Sequence, residues 1–125
     1  MKEIVRTSSA PAPIGPYNQA TAHGNMLFVS GQIAIDPKDG FLKIENLEEE
    51  THLVMKNLKA VLEAGGSSLE GVLKTTIFLS DMDLFSNVNK VYGSYFTGDY
   101  PARECVAVKT LPKDVNVEIS AIAIR

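Results

Sequence analysis

The segment "PARECVAVKTLPKDVNVEIS", residues 101–120, holds three side chains whose types could do chemistry: Arg103, Cys105 and Glu118. It reads as two β-strands joined by a short loop. Side chains two apart on a strand share a face, so Arg103 and Cys105 point one way and Glu104 the other. The arginine guanidinium keeps its charge and offers a planar fork of donors that matches a carboxylate. Glu118 can take or give a proton, or hold a water. A small carboxylate-bearing molecule held by Arg103, with Glu118 aiming a water at it, is a coherent hydrolytic arrangement. The same residues also suit an Arg103–Glu118 structural ion pair with Cys105 as a small core residue. On these residues alone the ion pair is the commoner arrangement.

Other chemistries find less support. The chain carries a net charge of −3, and its six lysines from Lys56 to Lys113 are scattered singly, so no phosphate-neutralising cluster is visible and nucleic acid is not an expected partner. His23 sits in a turn-like "AHGN" and His52 beside Glu48, Glu49 and Glu50, neither with a second ligand at metal spacing; both are expected to be ordinary surface residues and no metal is expected. There is no GxGxxG, GxxxxGK[ST] or GxSxG. A single cysteine cannot form an internal disulfide, "MKEIVRTSSA" lacks an apolar secretory core, and no apolar run reaches the roughly 18 residues of a membrane span. A cytoplasmic protein with no membrane association is the expectation, and 125 residues suit one domain, 1–125.

Several elements must position these side chains. A short strand is expected near residues 2–6, then an extended, proline-rich "TSSAPAPIGPYNQA" that ends on Tyr17. Tyr17 could be held in place for a ligand or serve only as a packing aromatic. "YNQATA" and "MLFVSGQIAI" around "HGN" predict a hairpin, within which Ser30-Gly31 reads most simply as a bend or bulge. Asn46 should cap a helix as part of a capping box with Glu49; Leu47, Val54, Leu58, Val61 and Leu62 form its stripe and Gly65-Gly66 its end. "GVLKTTIFLS" predicts a strand, and a second helix should start near Asp81 or Asp83 with Leu84, Val88, Val91 or Tyr92, and Tyr95 facing inward. The order is strand–strand–strand–helix–strand–helix–strand–strand, an α+β fold with one mixed sheet and two helices on one face. In the last strand, however, Ile122 and Ile124 are apolar opposite the Val117/Ile119/Ala121/Ala123 face. With no helices left to cover them, self-association around a barrel-like interior, with a pocket between subunits, is expected.

"GPYNQA", "LFVSGQ", "GVLKTTIFLSDM", "VNKVYGSYF" and "PARECVAVKTLPKDVNVEISAIA" resemble, in order and spacing, the RidA/YjgF family over nearly the whole chain, and within it the arginine-containing subgroup associated with enamine/imine deaminase activity. The resemblance implies a chorismate-mutase-like fold assembled as a homotrimer with three inter-subunit clefts. It implies 2-iminobutanoate/2-iminopropanoate deaminase activity: hydrolysis of the enamines 2-aminoacrylate and 2-aminocrotonate to 2-keto acids and ammonia, with no cofactor. Carried onto this sequence, Arg103 would clamp the substrate carboxylate and Glu118 would position the water. Tyr17 and Ser30 would line the cleft, Gly31 would bring its amide near the ligand, and Cys105 would lie against the reacting end without acting as a nucleophile. Asn89 is left outside the site. Glu104, Ser120 and a short "TGDY" link depart from many relatives without removing a catalytic group. A non-catalytic 2-keto-acid sensor is the alternative reading; an RNA-binding endoribonuclease and translation inhibitor is a further one that the acidic pI weighs against.

Overall fold

The structure, a computed structural model, describes all of residues 1–125. Six strands form one sheet: β1 (Glu3–Val5), β2 (Ala20–His23), β3 (Met26–Gln32), β4 (Val72–Leu79), β5 (Ala102–Ala107) and β6 (Val117–Ile124). Helix α1 (Leu47–Ala64) lies between β3 and β4, and α2 (Phe85–Gly93) between β4 and β5. The element order is the one the sequence predicts. The strand order across the sheet is β1-β2-β3-β6-β4-β5, antiparallel throughout except for β4 and β5, which run parallel with α2 as their crossover.

The two strands expected in residues 101–120 are β5 and β6, but they are not neighbours in the sheet. β5 and β6 flank β4 on opposite sides, and the nine residues between them contain a 3-10 turn at Pro112–Asp114. The reason lies in β4, whose run of β-branched and aromatic residues can pair along both edges and so separates them.

The caps follow the sequence closely. Asn46 Oδ1 accepts the Glu49 N–H at 2.9 Å, although Glu49 makes no return bond and the capping box stays half-formed. The left-handed residue that ends α1 is Gly66, with φ of 82°, while Gly65 packs against Leu27. At the second helix Asp81 caps a single 3-10 turn by accepting the Asp83 N–H at 2.8 Å, and α-helical geometry begins only at Phe85.

The core sits between the helices and one sheet face. Val54, Leu58, Val61 and Leu62 of α1 meet Leu27, Val29, Ile77, Leu79, Val117, Ile119, Ala121 and Ala123 of the sheet, all buried. Truncating one of the fully buried leucines to alanine would cost about 2–5 kcal/mol. A smaller cluster of Ile33, Ile35, Leu111 and Val115 ties the β5–β6 loop to the segment after β3. The opposite sheet face carries no helix. Phe28, Val106 and Ile124 are exposed there, and Phe78 and Ile122 are half-buried, which is the two-sided apolarity that β6 displays in sequence.

One surface expectation changes. His52 is half-buried, with Nδ1 2.7 Å from the Tyr95 hydroxyl. Glu50, next in sequence to two exposed glutamates, is fully buried. No helix is long and apolar enough to cross a membrane.

Candidate functional site: two half-sites on opposite faces of the sheet

Register fixes which face each side chain takes. Arg103 pairs with Thr75 and Cys105 with Ile77 on β4, and both partners are buried against the helices. Arg103 and Cys105 therefore lie on the helix side of the sheet. Glu118 pairs with Phe78, between the buried Val117 and Ile119, and so lies on the helix-free side. An Arg103–Glu118 ion pair within one chain is thereby ruled out: the two residues face opposite ways, and the chain's ion pairs are Lys43–Asp39, Lys74–Glu104 and Arg125–Glu3. The predicted separation of Glu104 from Arg103 holds, since Glu104 meets Lys74 at 2.9 Å on the helix-free face.

The arginine half-site is a groove where β5 runs beneath α2. Arg103 Nη1 donates to Asn89 Oδ1 at 2.5 Å, and the guanidinium lies over the rings of Tyr92 at 5.2 Å and Phe85 at 5.6 Å. Each stacking contributes about 0.5–1 kcal/mol at such partly open positions. Tyr92 is itself fixed by a 2.8 Å hydrogen bond between its hydroxyl and Thr75. Burial, partly offset by the Thr75 hydrogen bond and the arginine charge, raises the Tyr92 pKa, so the phenol stays neutral. The result is an oriented cation with no carboxylate beside it and free donors on its remaining nitrogens. Asn89, which sequence reasoning left outside, is part of this apparatus. Its signal was present: Phe85, Asn89 and Tyr92 recur at helical spacing and form one face of α2. Burial pushes the neighbouring Cys105 thiol upward despite the opposing effect of Arg103, which keeps it protonated at neutral pH and a poor nucleophile.

The glutamate half-site is an open cup of about 420 Å³ lined by Ile14, Tyr17, Ser30, Gly31, Pro112 and Glu118. Three sequence-predicted residues thus meet Glu118 in one place. β3 is irregular here: its pairing with β6 shifts between Val29 and Gln32, so the expected bulge at Ser30-Gly31 exists. The bulge has a purpose, because a Cβ on Gly31 would lie 2.6 Å from Glu118 Oε2. Only glycine lets the carboxylate rest against the β3 backbone. Ser30 Oγ donates to the Asn18 carbonyl at 2.6 Å and its N–H to the Gln19 carbonyl at 2.9 Å, holding the segment that leads from Tyr17 into β2. The proline-rich segment is no free spacer. The buried Gln19 amide accepts the Thr7 N–H at 2.8 Å and donates to the Pro11 carbonyl at 2.8 Å, folding the segment over the cup's rim. The Tyr17 hydroxyl accepts the Ile14 N–H at 3.2 Å and its ring stays largely exposed. The Glu118 carboxylate makes no hydrogen bond within the chain, and burial raises its pKa. Ile14 and Pro112, the apolar walls, were not identified from sequence; nothing short of the folded segment brings them beside Glu118.

One chain thus displays an anion clamp on one face and a carboxylate cup on the other. No group of three or more histidine, cysteine or carboxylate side chains forms a metal-binding cluster. Residues 7–125 match the family model described as Endoribonuclease L-PSP. The chain is 51% identical over 123 residues to a RutC family protein of Pyrococcus horikoshii, covering 98% of each. It is 43% identical to the 2-iminobutanoate/2-iminopropanoate deaminase of Salmonella typhimurium, covering 100% of this chain and 99% of the relative. Among solved structures, it superposes on E. coli TdcF with bound serine with a TM-score of 0.94 at 40% identity, over 98% of both chains.

Proposed function

The chain belongs to the RidA/YjgF family, the family of the Endoribonuclease L-PSP model, and from that premise we propose that it is an enamine/imine deaminase acting on small 2-imino acids. The observation that carries this reading is the state of its two charged groups. Arg103 is a fixed, half-buried cation without a counter-ion, and Glu118 is a half-buried carboxylate without a donor. Each is complete as a side chain and incomplete as an interaction. A 2-imino acid supplies both missing partners: a carboxylate for the guanidinium, and, at the adjacent carbon, an electrophile for a water held by the glutamate.

Arg103 orients the substrate by its carboxylate, with Asn89 and the Phe85 and Tyr92 rings holding the fork in place. Glu118 takes a proton as its water attacks the imine carbon and returns it to the nitrogen, and the proton of the new hydroxyl follows by the same route as the carbonyl forms. The C–N bond then breaks, the nitrogen leaves as ammonia, and a 2-keto acid remains. A carboxyl whose pKa is raised by burial is a stronger base once ionised, which suits proton transfer near neutrality. The neutral Cys105 thiol lines the clamp side without forming a bond to substrate. Tyr17 and Ser30 supply hydroxyls at the cup's rim.

Because the two groups lie on opposite faces, the working site combines Arg103 of one chain with Glu118 of another. We place it at clefts between neighbouring subunits of a homotrimer, with the exposed Phe28, Val106 and Ile124 face turned inward.

The test is a coupled assay. A pyridoxal-phosphate-dependent serine or threonine dehydratase generates the enamine in the presence of semicarbazide, which traps it. Wild-type protein is expected to suppress trapping by speeding keto-acid formation. Arg103→Ala removes two charge-assisted hydrogen bonds of about 1.5–3 kcal/mol each and should lose on the order of 10²–10⁴-fold in kcat/KM. Wild-type protein that binds pyruvate yet leaves trapping unchanged would replace the enzyme reading with a keto-acid sensor.

A further inference from the structure

Glu50 is the only carboxylate in the chain that is fully buried, and it has no cation partner. Such a group is costly unless strong donors meet it. Both of its donors come from one residue: Oε2 accepts the Asn116 backbone N–H at 2.8 Å and Oε1 accepts Asn116 Nδ2 at 2.7 Å. Asn116 is gripped from its other side as well, where its carbonyl accepts the Ser80 N–H at 3.0 Å and its Oδ1 the Ser80 hydroxyl at 3.2 Å. Helix α1 and the end of β4 thus converge on one asparagine.

That asparagine is two residues before Glu118 and four after Pro112, both of which line the cup. Between Pro112 and Asn116 the chain is strained, since Lys113 and Asp114 both have φ of 56°, a left-handed conformation unusual outside glycine. Leu111 and Val115 are buried on either side. A strained turn keeps its shape only when its ends are held, and Glu50 holds the end that leads into Glu118.

We propose that Glu50 is a positioning residue for the deaminase reaction: through Asn116 it sets the loop carrying Pro112 and the start of the strand carrying Glu118. The inference rests on the deaminase reading but concerns a group that touches no substrate. It predicts an effect confined to the glutamate half-site, because the Arg103 clamp is built on the other face from α2 and β5.

The experiment compares Glu50→Leu, Glu50→Gln and Asn116→Ala in the coupled assay, with pyruvate affinity measured in parallel. Glu50→Leu has no acceptor for Asn116 and should lose about 10–100-fold in kcat, the range expected for a catalytic group displaced by about 1 Å, with KM and pyruvate affinity within about threefold. Glu50→Gln keeps an acceptor for the Asn116 N–H and should recover most of the loss. Should Glu50→Leu fail to fold, Asn116→Ala decides: it keeps the backbone bond, sits at a half-exposed position, and should show an intermediate fall in kcat. A folded Glu50→Leu, or in its place Asn116→Ala, with wild-type kcat would overturn the proposal, as would a loss that Gln does not rescue. Glu118→Ala run alongside separates the two ideas. If it is inactive while the Glu50 and Asn116 variants are fully active, only the positioning role falls. If it is fully active, the deaminase reading falls with it.

Discussion

Mixing two dead proteins should restore activity. Arg103 and Glu118 project from opposite faces of the sheet, so a cleft that uses both must draw them from two chains. Arg103→Ala and Glu118→Ala are each expected to be inactive alone. In oligomers reassembled from an equal mixture, a cleft is intact when its clamp comes from a Glu118→Ala chain and its cup from an Arg103→Ala chain. Each condition is met half the time in random assembly, so about one quarter of the clefts should work, whatever the ring size. A second mixture sharpens the test. Wild type combined equally with the double variant should retain about one quarter of full activity if clefts are shared, and about one half if each chain carries its own site. The assay is keto-acid formation from dehydratase-generated enamine after joint denaturation and refolding, with wild type refolded alone as the reference. No recovery in the first mixture, together with half activity in the second, would refute the two-chain site.

Two further outcomes follow from the cup. Gly31→Ala places a Cβ 2.6 Å from Glu118 Oε2, so the carboxylate must swing aside; kcat should fall about 10–100-fold in the coupled assay while pyruvate affinity is kept. Glu118→Gln tests the sign of the raised pKa. A carboxyl whose folded pKa lies above its unfolded value binds protons more tightly when folded, so wild-type stability declines as pH rises from the ordinary glutamate value of about 4.3 through the folded pKa. The inactive Glu118→Gln should therefore gain in melting temperature over wild type at pH 7–8 and lose that gain near pH 4, and the acid limb of wild-type kcat should lie above about 4.3. A melting difference that grows toward acid pH would contradict the raised value.

The order of elements was legible because each carries local signals: Asn46 before α1, glycines after it, and β-branched runs in β4 and β6. The second apolar face of β6, written in Ile122 and Ile124, also announced that the sheet lacks a cover. What could not be read is how strands relate to one another. Alternation tells that Arg103 and Cys105 share a side, but comparing Arg103 with Glu118 requires knowing that both strands pair with β4 and in which register. The same limit hid Asn89, whose helical face is recognisable while the strand beneath it is not. Glu50 was masked by two exposed glutamates before it, since one turn of helix carries identical residues from solvent into the core.

The place of β6 in the sheet bears on how the protein is made. It is the last strand along the chain, yet it lies between β3 and β4 and is the only element that pairs with both. During synthesis the β1–β3 meander and the β4–α2–β5 unit emerge from the ribosome as two fragments, each with an unsatisfied edge waiting for the same late-arriving strand. Until β6 inserts, those edges are open to chaperones or to other nascent chains. Translation stalled before Val117 would leave the β1–β3 and β4–β5 parts of the sheet without the strand that bridges their edges.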